Sequence, residues 1–467
     1  MGFECVCGVR HIQILLLVIC GMVEYSMLLS MRISIFLLNW ETVSNYTLFD
    51  DPFRQAVRHY TTEQKMILIN GWFVLAFAGA LISGYLTVLV NLKYLLLGII
   101  ASITVLTYVI PVTVVNTNYD MILAVILFTG LVHGMKDPAI IAIIARWTPR
   151  TELGRCVSLV FSSPTLANII VILLFSFLNE SPSSWTSIFY LMGNSGILWC
   201  VSWYAFGSPN PNKCFYVSSK ERAMLSKSIA TSETNKKLNI SWPAVFKSLP
   251  FYGVLISKVL TTWIFRIMLF SFFFQGYMFA RGLKYSVKVF GTVILIMALI
   301  PAVQFLVGTI GDKVITHKKY PSRYVRKTFN SIALWGECVC CLLIGYTTPV
   351  TWDNAMYIMF CHLGCMEYPG CLCSFFDVDR KASGLLFGLV NFVALIPLAY
   401  LTNYSFPVLI TADPLKFESN WKGKYEPIWL SGAFACFIAN FFYIILATDE
   451  TNPMVPMEEN PQIDVKK

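Results

Sequence analysis

A few ionisable residues lie in the middle of long apolar stretches. There, a charge at the centre of a membrane helix costs about 2.5–3.5 kcal/mol on insertion scales. Glu24 and Arg32 fall in the first stretch, His133, Lys136 and Asp137 in the fourth, and Arg266 in the seventh. Groups placed at that cost face a polar cavity or one another, and in a bundle they mark a solute or ion pathway. Arg32 has the chemistry for an anion, being always charged, with a planar fork that matches phosphate or carboxylate. Arg266 either supplies a second cationic point for the same anion or snorkels to the membrane surface. His133, Lys136 and Asp137 are spaced i, i+3, i+4 and share one helix face. On that face Lys136 and Asp137 neutralise each other, or Asp137 pairs with Arg32. His133 titrates near neutral pH and either carries a proton or is a hydrogen-bonded structural histidine. Glu24 precedes Arg32 by about 12 Å of helical rise, so each needs a partner elsewhere or water. Pro138 predicts a kink that frees a backbone carbonyl for an ion or water. Glu337, His362 and Glu367 are weaker candidates, expected near the outer boundary.

The elements that position these residues are helices. Of 467 residues, 56% are hydrophobic and 13% charged, with mean hydropathy +0.64. Soluble domains carry about 25% charged residues. The apolar runs are continuous, which fits membrane helices and not the alternating strands of a barrel. The pattern predicts an all-α membrane protein of twelve transmembrane helices in two six-helix bundles. They are expected near 14–39, 66–90, 93–115, 119–145, 155–178 and 184–206, then 250–278, 285–310, 327–347, 354–376, 383–410 and 427–447. The N-terminal bundle covers 1–206, a cytosolic connector 207–249, the C-terminal bundle 250–450 and a cytosolic tail 451–467. Arg146, Arg150, Arg155, the lysines of the connector, and Lys313, Lys318, Lys319, Arg323, Arg326 and Lys327 all fall on one side, assigned to the cytoplasm together with both termini. Asn45-Tyr46-Thr47 then faces outside as an N-glycosylation acceptor. Ser218 and Glu221 have the spacing of a capping box, which predicts a short surface helix in the connector. Ala76, Ala80 and Gly84, and Gly384 and Gly388, form small-residue stripes that let backbones approach.

The net charge of +9 is that of loops that set topology, and no nucleic-acid partner is expected. The 14 cysteines lie mostly inside apolar segments and read as buried fillers. No metal site is expected, because the cysteines lack polar flanks and a supporting second layer of hydrogen bonds. The sequence holds no nucleophile elbow, zinc-binding HExxH, phosphate loop or dinucleotide fingerprint, which argues against an enzyme.

Several stretches carry a resemblance. Gly8-Val9-Arg10-His11 precedes the first segment and Arg32 lies in its second half. The fourth segment runs through Asp137-Pro138-Ala139 to Arg146-Trp147-Thr148-Pro149. Gly311-Asp312-Lys313 follows the eighth, then Val325-Arg326-Lys327-Thr328-Phe329-Asn330-Ser331, and Asp377 to Lys381 follow the tenth. In this order they resemble the anion:cation symporter family of the major facilitator superfamily, which includes sodium/phosphate cotransporters, sialin and vesicular glutamate transporters. The resemblance implies the major facilitator fold and a secondary transporter for a small anion, inorganic phosphate or an organic carboxylate. It implies sodium or proton as the coupling ion and no other cofactor. It gives Arg32 an anion-binding role, and it makes Asp312, Lys313, Arg326 and Lys327 a gate latch, which otherwise read as ordinary cytosolic charge. Other positions depart from the family: His133 stands where it has Glu, Ile141 where it has His, Ala80 where it has Gln, and Phe375 where it has His. Two further readings stay open, a proton-coupled exporter of organic anions with His133 as carrier, and a transport-inactive receptor or accessory protein. The plasma membrane is the default location, with vesicular and lysosomal membranes open, and a monomer is the default state.

Overall fold

The computed structural model describes residues 8–37, 61–115, 119–178, 184–228, 242–264, 287–318, 320–346, 350–394 and 421–447. The first half contains α1 (Val9–Leu37), α2 (Thr62–Leu89), α3 (Leu92–Val115), α4 (Tyr119–Trp147), α5 (Leu153–Val160), α6 (Ser163–Leu178) and α7 (Ser184–Phe206). The connector carries α8 (Ser219–Ser228) and α9 (Trp242–Lys247). The second half contains α10 (Leu249–Ile264), α11 (Val287–Lys318), α12 (Ser322–Tyr346), α13 (Val350–Leu363), α14 (Cys373–Val378), α15 (Ser383–Val393) and α16 (Trp421–Leu446). Eight candidate spans among the described residues are long and apolar enough to cross a membrane, while α10 and α15 supply shorter apolar helices. Asn45 and Arg266 lie outside the described residues, as do 451–467 and the later part of the segment expected at 383–410.

Two expected segments are broken, each where proline removes a donor. In the fifth, Pro164 follows Ser162 and Ser163, whose hydroxyls donate to the carbonyls of Leu159 and Val160 at 2.7 Å. The Ser163 bond serves the Val160 carbonyl, whose main-chain donor would be the nitrogen of Pro164, while the Leu159 carbonyl also accepts from the Ser162 amide at 3.3 Å. In the tenth, α13 passes into a 3-10 turn at Gly364–Glu367 and a π turn at Tyr368–Leu372 before α14 resumes. Pro369 and Gly370 sit in that break, and Arg326 Nη1 donates to the Pro369 carbonyl at 2.9 Å. In the fourth segment α4 runs continuously from Tyr119 to Trp147 with Pro138 inside it. There the Ser83 hydroxyl of α2 donates to the Met135 carbonyl at 2.6 Å, one turn before the proline. The eighth segment is also longer than expected. Asp312 and Lys313 lie inside α11, which continues to Lys318, and Arg326 and Lys327 lie inside α12.

Small residues set the closest helix crossings. A Cβ on Gly134 of α4 would strike the Ala76 carbonyl of α2, so these backbones touch. One turn along, Ala80 and Gly84 of α2 meet Gly384 and Gly388 of α15, in the other half. A second crossing between halves pairs Gly154 of α5 with Gly308 of α11, where a Cβ on Gly154 would lie 2.9 Å from the Gly308 carbonyl oxygen. Both seams lie toward the end of the bundle that carries the connector.

That end is tied by polar groups. Indole Nε1 groups of Trp147, Trp199 and Trp203 donate to the carbonyls of Ser208, Leu16 and Lys93 at 2.9–3.1 Å. The connector helix α8 forms half of the expected capping box: Ser218 Oγ accepts from the Glu221 amide at 3.2 Å. The Glu221 carboxylate, however, accepts from the amides of Val9 and Arg10 at 3.1 and 3.0 Å. It therefore caps α1, where free amides and the helix dipole favour an anion.

Candidate functional site

Glu24 is the sixteenth of the 29 residues of α1, and Lys136 the eighteenth of the 29 of α4, so both stand near mid-helix. Glu24 is 0% exposed. Its Oε2 accepts from Lys136 Nζ at 2.7 Å, and its Oε1 accepts a short hydrogen bond from His133 Nδ1. Lys136 also faces Asp137, with Nζ 3.4 Å from Oδ1. Glu24 is therefore the principal partner of Lys136, ahead of the Asp137 neighbour expected from spacing. Trp72 of α2 lies over the His133 ring, with centroids 5.0 Å apart and planes inclined by 25°. The tight α2–α4 contact at Ala76 and Gly134 brings the indole there. His133 and Asp137 remain partly exposed while Glu24 and Lys136 are sealed. With neutral His133 the four groups sum to one negative charge, and a proton on the imidazole brings the sum to zero.

The second half holds a matching cluster between its own first and fourth segments. Lys258, the tenth residue of α10, is 2% exposed, and its Nζ lies 2.5 Å from Glu367 Oε1. Glu367 ends the 3-10 turn of the broken tenth segment. Glu337 of α12 is also buried and lies against Gly364 at the start of the same turn. The polarity is reversed between halves. In the first, the acid is on the opening segment and the base on the fourth; in the second, the base comes first. Glu337 is thus buried, while Glu367 is partly exposed. His362 is partly buried, and its Nδ1 donates to the Ile358 carbonyl of its own helix at 2.8 Å.

A third set joins the halves at the connector end. Asp312 of α11 accepts from the amides of Gly154 and Arg155 at 2.8 and 2.9 Å, at the N-terminus of α5. Arg380, before α15, donates from Nε to the Ala145 carbonyl at 2.8 Å and from Nη2 to the Thr148 carbonyl, at the C-terminal end of α4. An acid thus meets the positive end of one helix and a base the negative end of another. Burial lowers the Arg380 guanidinium to about 10, with Arg150 adding to the effect, and the group stays cationic at neutral pH. Arg326 belongs to the second half alone, with Nε 3.0 Å from Asp377 Oδ2. Lys313 is exposed and Lys327 half-buried, and neither makes an ion pair among the described residues. Of the four expected latch residues, Asp312 is the one placed across the seam.

Arg32 lies on the α1 backbone, but its side chain is outside the described residues. Lys258 and Arg380 were missed by sequence reasoning. Lys258 carried the signal used for Lys136, a lone charge inside an apolar run. Arg380 lay within the Asp377–Lys381 stretch of the resemblance, but its partners, backbone carbonyls on a distant helix, left no sequence signal of their own.

With this geometry in view, the sequence pattern of the Major Facilitator Superfamily matches residues 15–402. Vesicular glutamate transporter 2 of Bos taurus is 23% identical over 359 residues, 74% of this chain and 58% of that protein. The chain therefore spans less than two thirds of that relative's length. A putative inorganic phosphate cotransporter of Drosophila melanogaster is 24% identical over 391 residues, 81% of this chain and 70% of that one. Both are relatives of the kind the anion:cation symporter resemblance implies. Among solved structures, the human organic anion transporter MFSD10 superposes with TM-score 0.60 at 13% identity, covering 93% of this chain and 99% of that one. A double Trp mutant of XylE gives TM-score 0.66 at 12% identity, covering 95% of this chain and 97% of that one. These superpositions establish the fold.

Proposed function

This chain belongs to the Major Facilitator Superfamily, and from that premise we propose that it is a secondary active transporter for a small anion. The halves rock about the two glycine seams and expose a central site alternately to either side. Arg32 and, in the second half, Arg266 are assigned to the anion, inorganic phosphate or an organic carboxylate. The coupling ion is a proton held by His133 and Glu24. The end bearing the connector is cytosolic by its basic loops, Asn45 is glycosylated outside, and the membrane is the plasma membrane.

The observation that carries this reading is the Glu24–His133–Lys136–Asp137 cluster at mid-helix. Packing alone gives no reason to seal a carboxylate and an ammonium together in an apolar bundle, since buried pairs seldom repay their desolvation. A site whose charge sum changes with one proton suits coupled transport. The names of the curated relatives support an anion as the solute.

The test is purified protein in liposomes, offered labelled phosphate and labelled carboxylates under imposed proton or sodium gradients. Proton-driven accumulation of one of them is expected. Sodium-driven accumulation would replace the assigned coupling ion, and outward-directed flux would favour the exporter reading. Absence of flux for every anion would leave the receptor reading in its place.

A further inference from the structure

The outer face of α7 carries one polar group that the fold leaves half satisfied. The buried side of this helix rests on α1 and α3. A Cβ on Gly196 would strike Met27 of α1, and a Cβ on Gly193 would strike the Tyr108 ring of α3. The opposite side is exposed through Tyr190, Leu191, Ile197, Leu198 and Val201. It points away from α1, and its apolar side chains suit lipid and not a solute pathway. Asn194 stands in the middle of this face and is exposed. Among the described residues its carboxamide makes one hydrogen bond, Oδ1 accepting from the Tyr108 hydroxyl at 2.6 Å, and its Nδ2 makes none.

Depth makes that amide costly. At the connector end of α3 and α7, Lys93 Nζ lies 2.7 Å from the Tyr204 carbonyl oxygen and 5.4 Å from the Tyr204 ring centroid. A cation beside an exposed aromatic marks the membrane boundary. Asn194 precedes Tyr204 by ten positions on α7, about 15 Å at helical rise, which is half of a hydrocarbon core about 30 Å thick. The amide therefore lies at the midplane, where lipid tails offer it no acceptor. Hydroxyls on membrane helices meet this by folding back. Ser202 of α7 and Thr309 of α11 donate to the carbonyls of Leu198 and Phe305 on their own helices, at 2.8 and 2.7 Å. Asn194, held by Tyr108 of another helix, does not.

We propose that α7 is a pairing surface for a second copy of this chain in the membrane, with Asn194 bonded reciprocally to Asn194. Two copies inserted in the same orientation are related by a two-fold axis along the membrane normal, so each residue meets its own equivalent at the same depth. A second copy thus brings a polar group to the midplane opposite Asn194, which lipid does not. The carboxamide is self-complementary. Each Nδ2 donates to the Oδ1 of the other copy, which keeps a lone pair beyond the one given to Tyr108. Polar side chains bridge membrane helices in this way. Leu191, Ile197, Leu198 and Val201 surround the bonded pair and exclude lipid. The seams between halves use α2 with α15 and α5 with α11, so pairing through α7 leaves each copy free to rock. The proposal is independent of the solute and of the coupling ion.

The test places the full-length protein, carrying a donor or an acceptor fluorophore at its C-terminus, in liposomes at a series of protein-to-lipid ratios and reads energy transfer. A monomer–dimer transition is expected. Asn194→Leu is expected to move its midpoint about 5- to 30-fold toward higher protein density, the range for hydrogen bonds between membrane helices. Tyr108→Phe combined with Asn194→Leu removes both polar groups, and is expected to give the same shift with an unchanged melting temperature. In the same liposomes, photo-reactive benzoylphenylalanine in place of Leu198 is expected to link two copies. The same probe in place of Phe437, exposed on α16 of the other half, is expected not to. Energy transfer no higher than random encounter at every ratio, a midpoint unmoved by both variants, or linked copies from Phe437 and not from Leu198 would each overturn the proposal. Where a variant melts early, the cross-links decide alone, because they leave Asn194 and Tyr108 in place.

Discussion

Replacing Asp312 by Ala should open the connector end of the molecule. The carboxylate accepts two backbone hydrogen bonds from the first turn of α5, at 2.8 and 2.9 Å, across the boundary between halves. Hydrogen bonds to a charged group contribute about 1.5–3 kcal/mol each. Taking the lower figure for both gives about 3 kcal/mol favouring the closed arrangement, and each 1.4 kcal/mol is tenfold in an equilibrium. A closed state favoured a hundredfold would fall to near parity. Spin labels at Val90 and Lys381, both exposed and in different halves, report the separation away from the substituted site. One short distance is expected in the wild type, and comparable short and long populations in Asp312→Ala. Arg155→Ala is the control. The bond uses the Arg155 amide, and its partly exposed side chain pairs with Glu152, an interaction worth at most about 1 kcal/mol. An unchanged distribution in Asp312→Ala, or an equal shift in Arg155→Ala, would show that the helix terminus is not what Asp312 holds.

In the membrane interior, Glu24→Gln should lower the unfolding temperature, because breaking a buried pair costs about 3–5 kcal/mol. The double variant Glu24→Gln with Lys136→Met should recover much of the loss in the same melt. Gly134→Leu should separate α2 from α4 and destabilise by at least about 1–3 kcal/mol, whereas Gly98→Ala, where a Cβ meets nothing within 4 Å, should not. Arg32→Ala should abolish uptake while surface expression is retained, and retained uptake would remove its anion-binding role. Uptake is expected to change across about pH 5 to 8, and a flat profile would exclude His133 as the proton carrier.

Periodicity and hydropathy made the long helices legible, because a membrane span must be continuous and apolar. The break at Gly364–Leu372 escaped that reading: Pro369-Gly370 is visible in sequence, but the 3-10 and π turns, and the Arg326 hydrogen bond to the Pro369 carbonyl, are not. The same limit applied near Pro138, where the donor to the Met135 carbonyl is Ser83 of a neighbouring helix. Within the site, the shared face of His133, Lys136 and Asp137 followed from spacing. That Glu24 is their centre did not, because it comes from another helix 109 positions away. Lys258 could have been found as a lone cation in an apolar run. Glu221 and Arg380 could not, since each binds backbone groups, and any residue type supplies those.

The two seams between halves have a consequence for how this lineage can change. At Gly154 against Gly308, and at Gly84 against Gly388, main chain rests on main chain. Elsewhere in a protein interior, a larger residue on one helix can be offset by a smaller one opposite. Here both sides already hold the smallest residue, so any replacement widens the crossing and no second substitution can restore it. Descendants of this sequence could exchange solute and ion preference through the polar clusters while these four positions stay unchanged.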